Sequence, residues 1–240
     1  MIKDTTDHSL DGRMIRFNKY LNRTNMVHNK YQYDGVRWIV NNEIRENPQC
    51  NIRGGFIADE MGLGKTIMII GTLLCNFLPK TLIVVPPVLI DQWFMQIYRT
   101  TGHKALVYHG NIKKRITLEM LNKASIVITT YGAITLTRKQ LTAATVTLLH
   151  KISWDRLVFD EAHHLRNNRT TRYISAKKLD TKIRWLVSGT PIQNNKKDFY
   201  NLCSMIGLPA SFYTETDNLP ILTQSFILKR TKKLNQQLSL

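Results

Sequence analysis

Gly64-Lys65-Thr66 is a run that could hold a phosphate chain. A phosphate cradle needs backbone N–H groups pointing inward from a tight loop, with the positive end of a helix behind them. Gly62 and Gly64 permit the tight backbone, Lys65 offers a cation to the β and γ phosphates, and Thr66 offers a hydroxyl to Mg²⁺. The fit to GxxxxGK[ST] is incomplete, because Asp59 stands where the first glycine belongs. Far downstream comes "RLVFDEAHH", with Asp160 closing an apolar run. A nucleoside triphosphate site needs one carboxylate for the Mg²⁺ shell and a second group to orient the attacking water. Asp160 and Glu161 offer both, side by side. Each motif alone has a bland reading, a glycine turn for the first and a solvated turn for the second. Together they define a catalytic site. The adjacent His163 and His164 cannot easily share one ion, and no other ligand cluster accompanies them, so zinc is rejected.

These groups need a scaffold. "GGFIA" reads as a short strand running into the glycine-rich turn, and "KTIMIIGTLLCNFL" as an apolar helix after it. Further strands are expected in "KTLIVVP", "KALVYHG", "ASIVITTYG", "DRLVFDEAH" and "IRWLVSGT". Most run apolar without alternation, as parallel strands buried on both faces do. "YQYDGVRWIVNNEI", "VLIDQWFMQIYRT", "KRITLEMLNK" and "TTRYISAKKL" read as helices. Strand, crossover and strand repeated along the chain give an α/β fold, a doubly wound and mainly parallel sheet with helices on both faces. Residues 1–30 read as a basic extension or a short helix outside the core, and 133–150 resist placement.

Bulk composition narrows the function. Thirty-four Lys+Arg against 17 Asp+Glu give a net charge of +17, which favours a polyanionic partner, most often nucleic acid. The alternative is a generically basic surface. The stretch His164 to Arg184 carries seven basic residues and a single acid, Asp180. Cys50, Cys75 and Cys203 form no pair or metal spacing, as expected of a reduced intracellular protein. "MIKDTTDHSLDGR" lacks the apolar core of a secretory signal, and "LIVVPPVLI" is too short and proline-broken to span a bilayer, so no membrane association is expected.

In this order, "ADEMGLGKT", "DEAH" and "SGTPIQN" resemble the first RecA-like lobe of a superfamily-two helicase-related ATPase, and more narrowly the Swi/Snf family of DNA translocases. That family writes its loop with Asp where Asp59 stands, so the resemblance implies a working site. It implies ATP and Mg²⁺ as cofactors, with Met61, Gly62, Leu63, Gly64, Lys65 and Thr66 in the loop and Gln32 in "YQYDGVRW" reading adenine. It gives Thr66 and Asp160 to the Mg²⁺ shell and Lys65, Asp160 and Glu161 to catalysis. Coupling falls to His163, Ser188, Gly189, Thr190 and Gln193. Pro86, Gln92, Trp93, Thr129, Thr130, Tyr131 and Arg166 are expected to face nucleic acid, double-stranded DNA in this family. The resemblance divides the chain into residues 1–30, an ATP-binding lobe over 31–230 and a basic exit segment over 231–240 that leads toward a second lobe of the same polypeptide. The arginine fingers expected from that second lobe are not supplied after Lys233, so the piece is expected to hydrolyse ATP weakly. The resemblance also implies transcription or chromatin proteins as partners and a nuclear location, and the Asn-, Thr- and Ile-rich wording suggests a viral member. Two other readings stay open: an RNA-dependent ATPase of the same superfamily, and a non-catalytic nucleic-acid-binding scaffold.

Overall fold

The computed structural model describes residues 9–23, 29–45, 52–189 and 196–232. Seven strands, β1 (Arg53–Ile57), β2 (Thr81–Val85), β3 (Leu106–Tyr108), β4 (Ile126–Thr130), β5 (Trp154–Asp160), β6 (Thr181–Val187) and β7 (Ile227–Leu228), form one sheet in the order β3-β4-β2-β5-β6-β1-β7. Every pairing is parallel. Each of the six strands expected from sequence is present, and β7 is the addition.

The apolar runs of β2 and β4 are buried at every residue, as strands covered on both faces must be. Successive side chains point to opposite faces. Leu82, Val84, Leu157, Phe159 and Leu186 accordingly join one core layer, while Ile83, Val85, Val158, Trp185 and Val187 join the other. The second layer is roofed by α1 (Leu10–Arg23), α2 (Lys30–Ile44), α3 (Lys65–Cys75) and α4 (Ile90–Thr101). The first is covered by α5 (Leu118–Lys123), α6 (Tyr131–Ile134), α8 (Thr171–Lys177), α9 (Lys196–Ile206), α10 (Ala210–Thr214) and α11 (Leu219–Phe226), while α7 (Arg138–Thr142) buries no residue. The 133–150 segment resolves into the end of α6, then α7, then a 3-10 turn at Leu148–Lys151. A reciprocal capping box between Thr137 and Gln140 starts α7.

Residues 1–30 were expected to pack outside the core, and α1 corrects this. Met14, Phe17 and Leu21 are buried beside Val36 and Ile69, and the Tyr20 hydroxyl shares a buried hydrogen bond with Thr100 (3.0 Å). The helix fits because Gly71 leaves room: a Cβ there would meet Phe17 Cε2 at 2.7 Å and Val36 Cγ2 at 2.8 Å. Gly71→Ala therefore pits a gain of up to about 1 kcal/mol in helix propensity against an overpacking cost of about 1–3 kcal/mol. A net loss of roughly 1 kcal/mol is expected, read as a lower urea midpoint.

Opposite the strand ends that carry the motifs lies a buried polar network. Arg156 and Glu43 are paired, both side chains fully buried. Arg156 Nε donates to Glu43 Oε1 (2.6 Å), and its Nη groups donate to the Asn76 carbonyl (2.8 Å) and the Thr81 hydroxyl (3.3 Å). Glu43 also accepts from Trp185 Nε1 (2.8 Å) and Asn76 Nδ2 (2.7 Å). The thiols of Cys75 and Cys203 are buried too, and burial pushes Cys75 up to about 12. Neither is a reactive nucleophile at neutral pH.

Candidate nucleotide site

Strand register explains how motifs so far apart in sequence meet. Val187, the last residue of β6, is flanked by Ile57 at the end of β1 and Asp160 at the end of β5. Neighbouring strands lie about 4.8 Å apart, so Ile57 and Asp160 are separated by about 10 Å. The glycine-rich loop leaves from the first, the DEAH turn from the second, and Ser188-Gly189 from the strand between them. Ser188 N donates to the Ile57 carbonyl (3.1 Å). A Cβ on Gly189 would lie 3.0 Å from Met61 Cγ and 3.6 Å from Lys65 Nζ. The Lys65 charge in turn acts on Asp160. Three sequence motifs thus share one strand-end edge, the place where open parallel sheets bind ligands.

The loop is built as a cradle. Gly64 has φ 78° and is the N-cap of α3, so the chain turns there through a left-handed conformation that a side chain would resist. A Cβ at this position would also lie 2.4 Å from Gln32 Nε2. Gln32 is buried against the loop. Lys65 Nζ donates to the carbonyls of Asp59 (2.9 Å) and Glu60 (3.4 Å). Thr66, half-buried, begins the helix beside it, Leu63 is buried, and Met61 and Gly62 are exposed. Backbone donors, a lysine and a hydroxyl around a helix N-terminus are the donor set a Mg²⁺-triphosphate demands. When bound, the metal would neutralise charge on the transferring phosphoryl group.

Asp59 explains the altered loop. Its carboxylate is wholly buried and paired with Arg230, whose Nε lies 3.2 Å from each oxygen and whose Nη2 closes the fork. Arg230 also donates to the Tyr31 carbonyl and lies over the Tyr31 ring, 5.7 Å from its centroid. The backbone is tied as well: Ala58 N bonds the Leu228 carbonyl (2.7 Å), Glu60 N bonds the Arg230 carbonyl (3.0 Å), and Lys232 N bonds the Glu60 carboxylate (2.8 Å). The basic segment expected to lead away from the lobe is, through Lys232, part of the nucleotide loop's support. Lys233, Thr190 and Gln193 lie outside the described residues.

Asp160 is held from three sides. Its Oδ2 accepts from Trp93 Nε1 (2.8 Å), its Oδ1 from the Glu161 N–H (3.0 Å), and its carbonyl from the Tyr131 hydroxyl (2.7 Å). Burial raises the carboxyl above its ordinary range, against the lowering effect of the Trp93 bond. Glu161 takes a left-handed backbone, φ 51° and ψ 50°, which turns its side chain away from the line of β5. His163 Nδ1 lies 3.2 Å from Glu161 Oε2, a close polar contact without a hydrogen bond. Tilted ring contacts follow: His163 with His164 (4.4 Å) and His164 with Tyr131 (5.0 Å), with Arg172 over Tyr131 (5.8 Å).

Several expected nucleic-acid residues are placed otherwise. Trp93, Thr129, Thr130 and Tyr131 are all buried, so their side chains cannot meet a backbone in this conformation. Thr129 donates to the Tyr108 carbonyl (2.8 Å), and Thr130 shares a hydrogen bond with His109 (3.2 Å). Thr129 is buried because both faces of β4 are covered. Pro86 is half-buried, and Gln92 and Arg166 are exposed. The basic run from His164 is also only partly a surface: Arg166, Arg169, Lys178 and Lys182 are exposed. Arg184 instead donates to the carbonyls of Met205 (3.0 Å) and Leu179 (2.6 Å), and Lys177 to that of Ser204. Burial lowers Lys177 to about 8. No helix among the described residues is long and apolar enough to cross a membrane.

A seven-stranded parallel sheet with a phosphate loop, a DEAH turn and a third motif on one edge defines a RecA-like ATPase lobe. Residues 31–238 match the SNF2-related domain, and the chain belongs to that family. It is 33% identical over 180 residues to a DNA excision repair protein ERCC-6-like from Danio rerio, a match covering 69% of this chain and 12% of that protein. With Helicase SWR1 from Mycosarcoma maydis it shares 34% over 182 residues, 72% of this chain and 9% of the relative. The Sulfolobus solfataricus SWI2/SNF2 ATPase core in complex with dsDNA superposes with a TM-score of 0.66 at 26% identity, covering 84% of this chain and 44% of that one. The chain therefore spans a minor part of each relative's length.

Proposed function

We propose that this chain is the ATP-binding first lobe of a DNA-dependent ATPase that moves along duplex DNA. The observation that carries the proposal is the meeting of Lys65, Asp160 and Gly189 at the ends of three adjacent parallel strands. In this reading Lys65 and the loop amides bind the phosphates, Thr66 and Asp160 hold the Mg²⁺ shell, and Glu161 orients the attacking water. Gln32 contacts the adenine, and Ser188 to Gln193 relay nucleotide state. The exposed Gln92 and Arg166, with Pro86, lie on the DNA side. A second lobe supplies the arginine fingers, worth roughly 10³ to 10⁵ in rate. Support for duplex DNA comes from the net charge of +17 and from the likeness to an ATPase core solved with dsDNA. Work in a nucleus, in a host's if the chain is viral, alongside transcription or chromatin proteins, belongs to the same proposal.

The test is ATP turnover with and without duplex DNA, by this chain and by a form extended through a second lobe. Turnover confined to the extended form and stimulated by duplex DNA is expected. Stimulation by single-stranded RNA alone would favour the RNA-dependent reading, and DNA binding without turnover in either form would favour the scaffold.

A further inference from the structure

The two segments that sequence reasoning sends to the nucleic-acid side each deliver one buried aromatic donor to the same residue. Trp93 follows the exposed Gln92 and lies five residues beyond Val88, which is 86% exposed. Its indole N–H reaches the Asp160 carboxylate. Tyr131 precedes the exposed Gly132, and its hydroxyl reaches the Asp160 carbonyl. Chain at the surface is thus joined to the strand-end residue, at its carboxylate through Trp93 and at its backbone carbonyl through Tyr131. Both donors are rigid rings held by packing: Trp93 is 1% exposed, and Tyr131, 4% exposed, sits between Phe159 and His164.

A carboxylate that serves a metal shell must present its lone pairs in a fixed plane. Asp160 could rotate about its side-chain bonds, and the amide of Glu161 restrains only Oδ1. The Trp93 bond restrains Oδ2, and the Tyr131 bond fixes the backbone from which the side chain springs. We infer that Trp93 and Tyr131 are positioning residues for Asp160, setting the plane in which it meets a Mg²⁺-nucleotide. The inference rests on the Mg²⁺-ATP reading of the site. Partners that orient a metal's ligands typically contribute 10- to 100-fold in metal affinity or activity.

The experiment uses the whole 240-residue chain, a fluorescent ATP analogue and Mg²⁺ at fixed pH. In Trp93→Phe a smaller aromatic ring replaces the indole and the donor is lost; in Tyr131→Phe only the hydroxyl goes. Each variant is expected to raise the Mg²⁺ concentration that half-saturates nucleotide binding, about 10-fold or more for Trp93→Phe, while binding in EDTA is unchanged. Indole N–H resonances give an independent readout: Mg²⁺ with a non-hydrolysable ATP analogue should move the signal that Trp93→Phe deletes far more than those of Trp38, Trp154 and Trp185. Folding of both variants is checked by circular dichroism, and Tyr131→Phe removes one oxygen from a retained ring. A normal Mg²⁺ response in both folded variants, with an unmoved Trp93 resonance, overturns the positioning role alone. No Mg²⁺ response in the unchanged chain overturns the site reading and this inference with it.

Discussion

Replacing Arg156 with Ala is expected to destabilise the fold by about 3–5 kcal/mol, the cost of leaving a buried charge without its partner. Glu43 is the charge in question. With Arg156 gone it keeps the donors of Trp185 and Asn76 but no cation, in a site without solvent. The Asn76 carbonyl and the Thr81 hydroxyl lose their donor as well. A paired substitution, Arg156→Met with Glu43→Leu, should recover much of the loss, because the desolvation cost of both charges disappears together. Chemical denaturation of the single and double variants measures this. A single variant within about 1 kcal/mol of the unchanged chain would show that Glu43 finds another partner or a proton.

The second large effect concerns Lys65. Its ammonium rests on the carbonyls of Asp59 and Glu60, outside the core, so Lys65→Ala should barely alter folding. Hydrogen bonds from a charged donor are worth about 1.5–3 kcal/mol, so removing the phosphate contact should weaken nucleotide binding about 10- to 100-fold. DNA binding should be nearly unchanged, since the basic surface is elsewhere. Fluorescence titrations with a nucleotide analogue and with duplex DNA check both halves. Loss of both together would point to misfolding instead.

The sheet was legible in the sequence because its strands are buried on both faces and so read as plain apolar runs. β7 was not, since Ile227–Leu228 is too short to carry a pattern and gains its partner, β1, only through the tertiary fold. Helix α1 was read as outlying because its mean composition is polar; the buried positions Met14, Phe17 and Leu21 follow helical spacing and carried the signal. The capping box at Thr137 and Gln140 was likewise present as T-x-x-Q.

For the candidate site, residue identity gave the motifs that strand register then joined. What it withheld was side-chain direction. Trp93 lies beside the exposed Gln92 in sequence, yet helical geometry turns it inward to Asp160. Asp59 read as an irregularity in a loop pattern, and its partner Arg230 was known only as one base in a basic tail. No local pattern links residues that far apart.

The fork between Asp59 and Arg230 also sets an order of events during synthesis. Chain emerging from the ribosome can pair β1 with β6 and close most of the sheet before residue 227 exists. Asp59 has no cation until Arg230 is made, and a carboxylate without a partner favours a loop open to water. The phosphate loop is translated early, but its completion waits for the last strand of the lobe. A nascent lobe cannot present the finished cradle to ATP before the segment that completes it has been made.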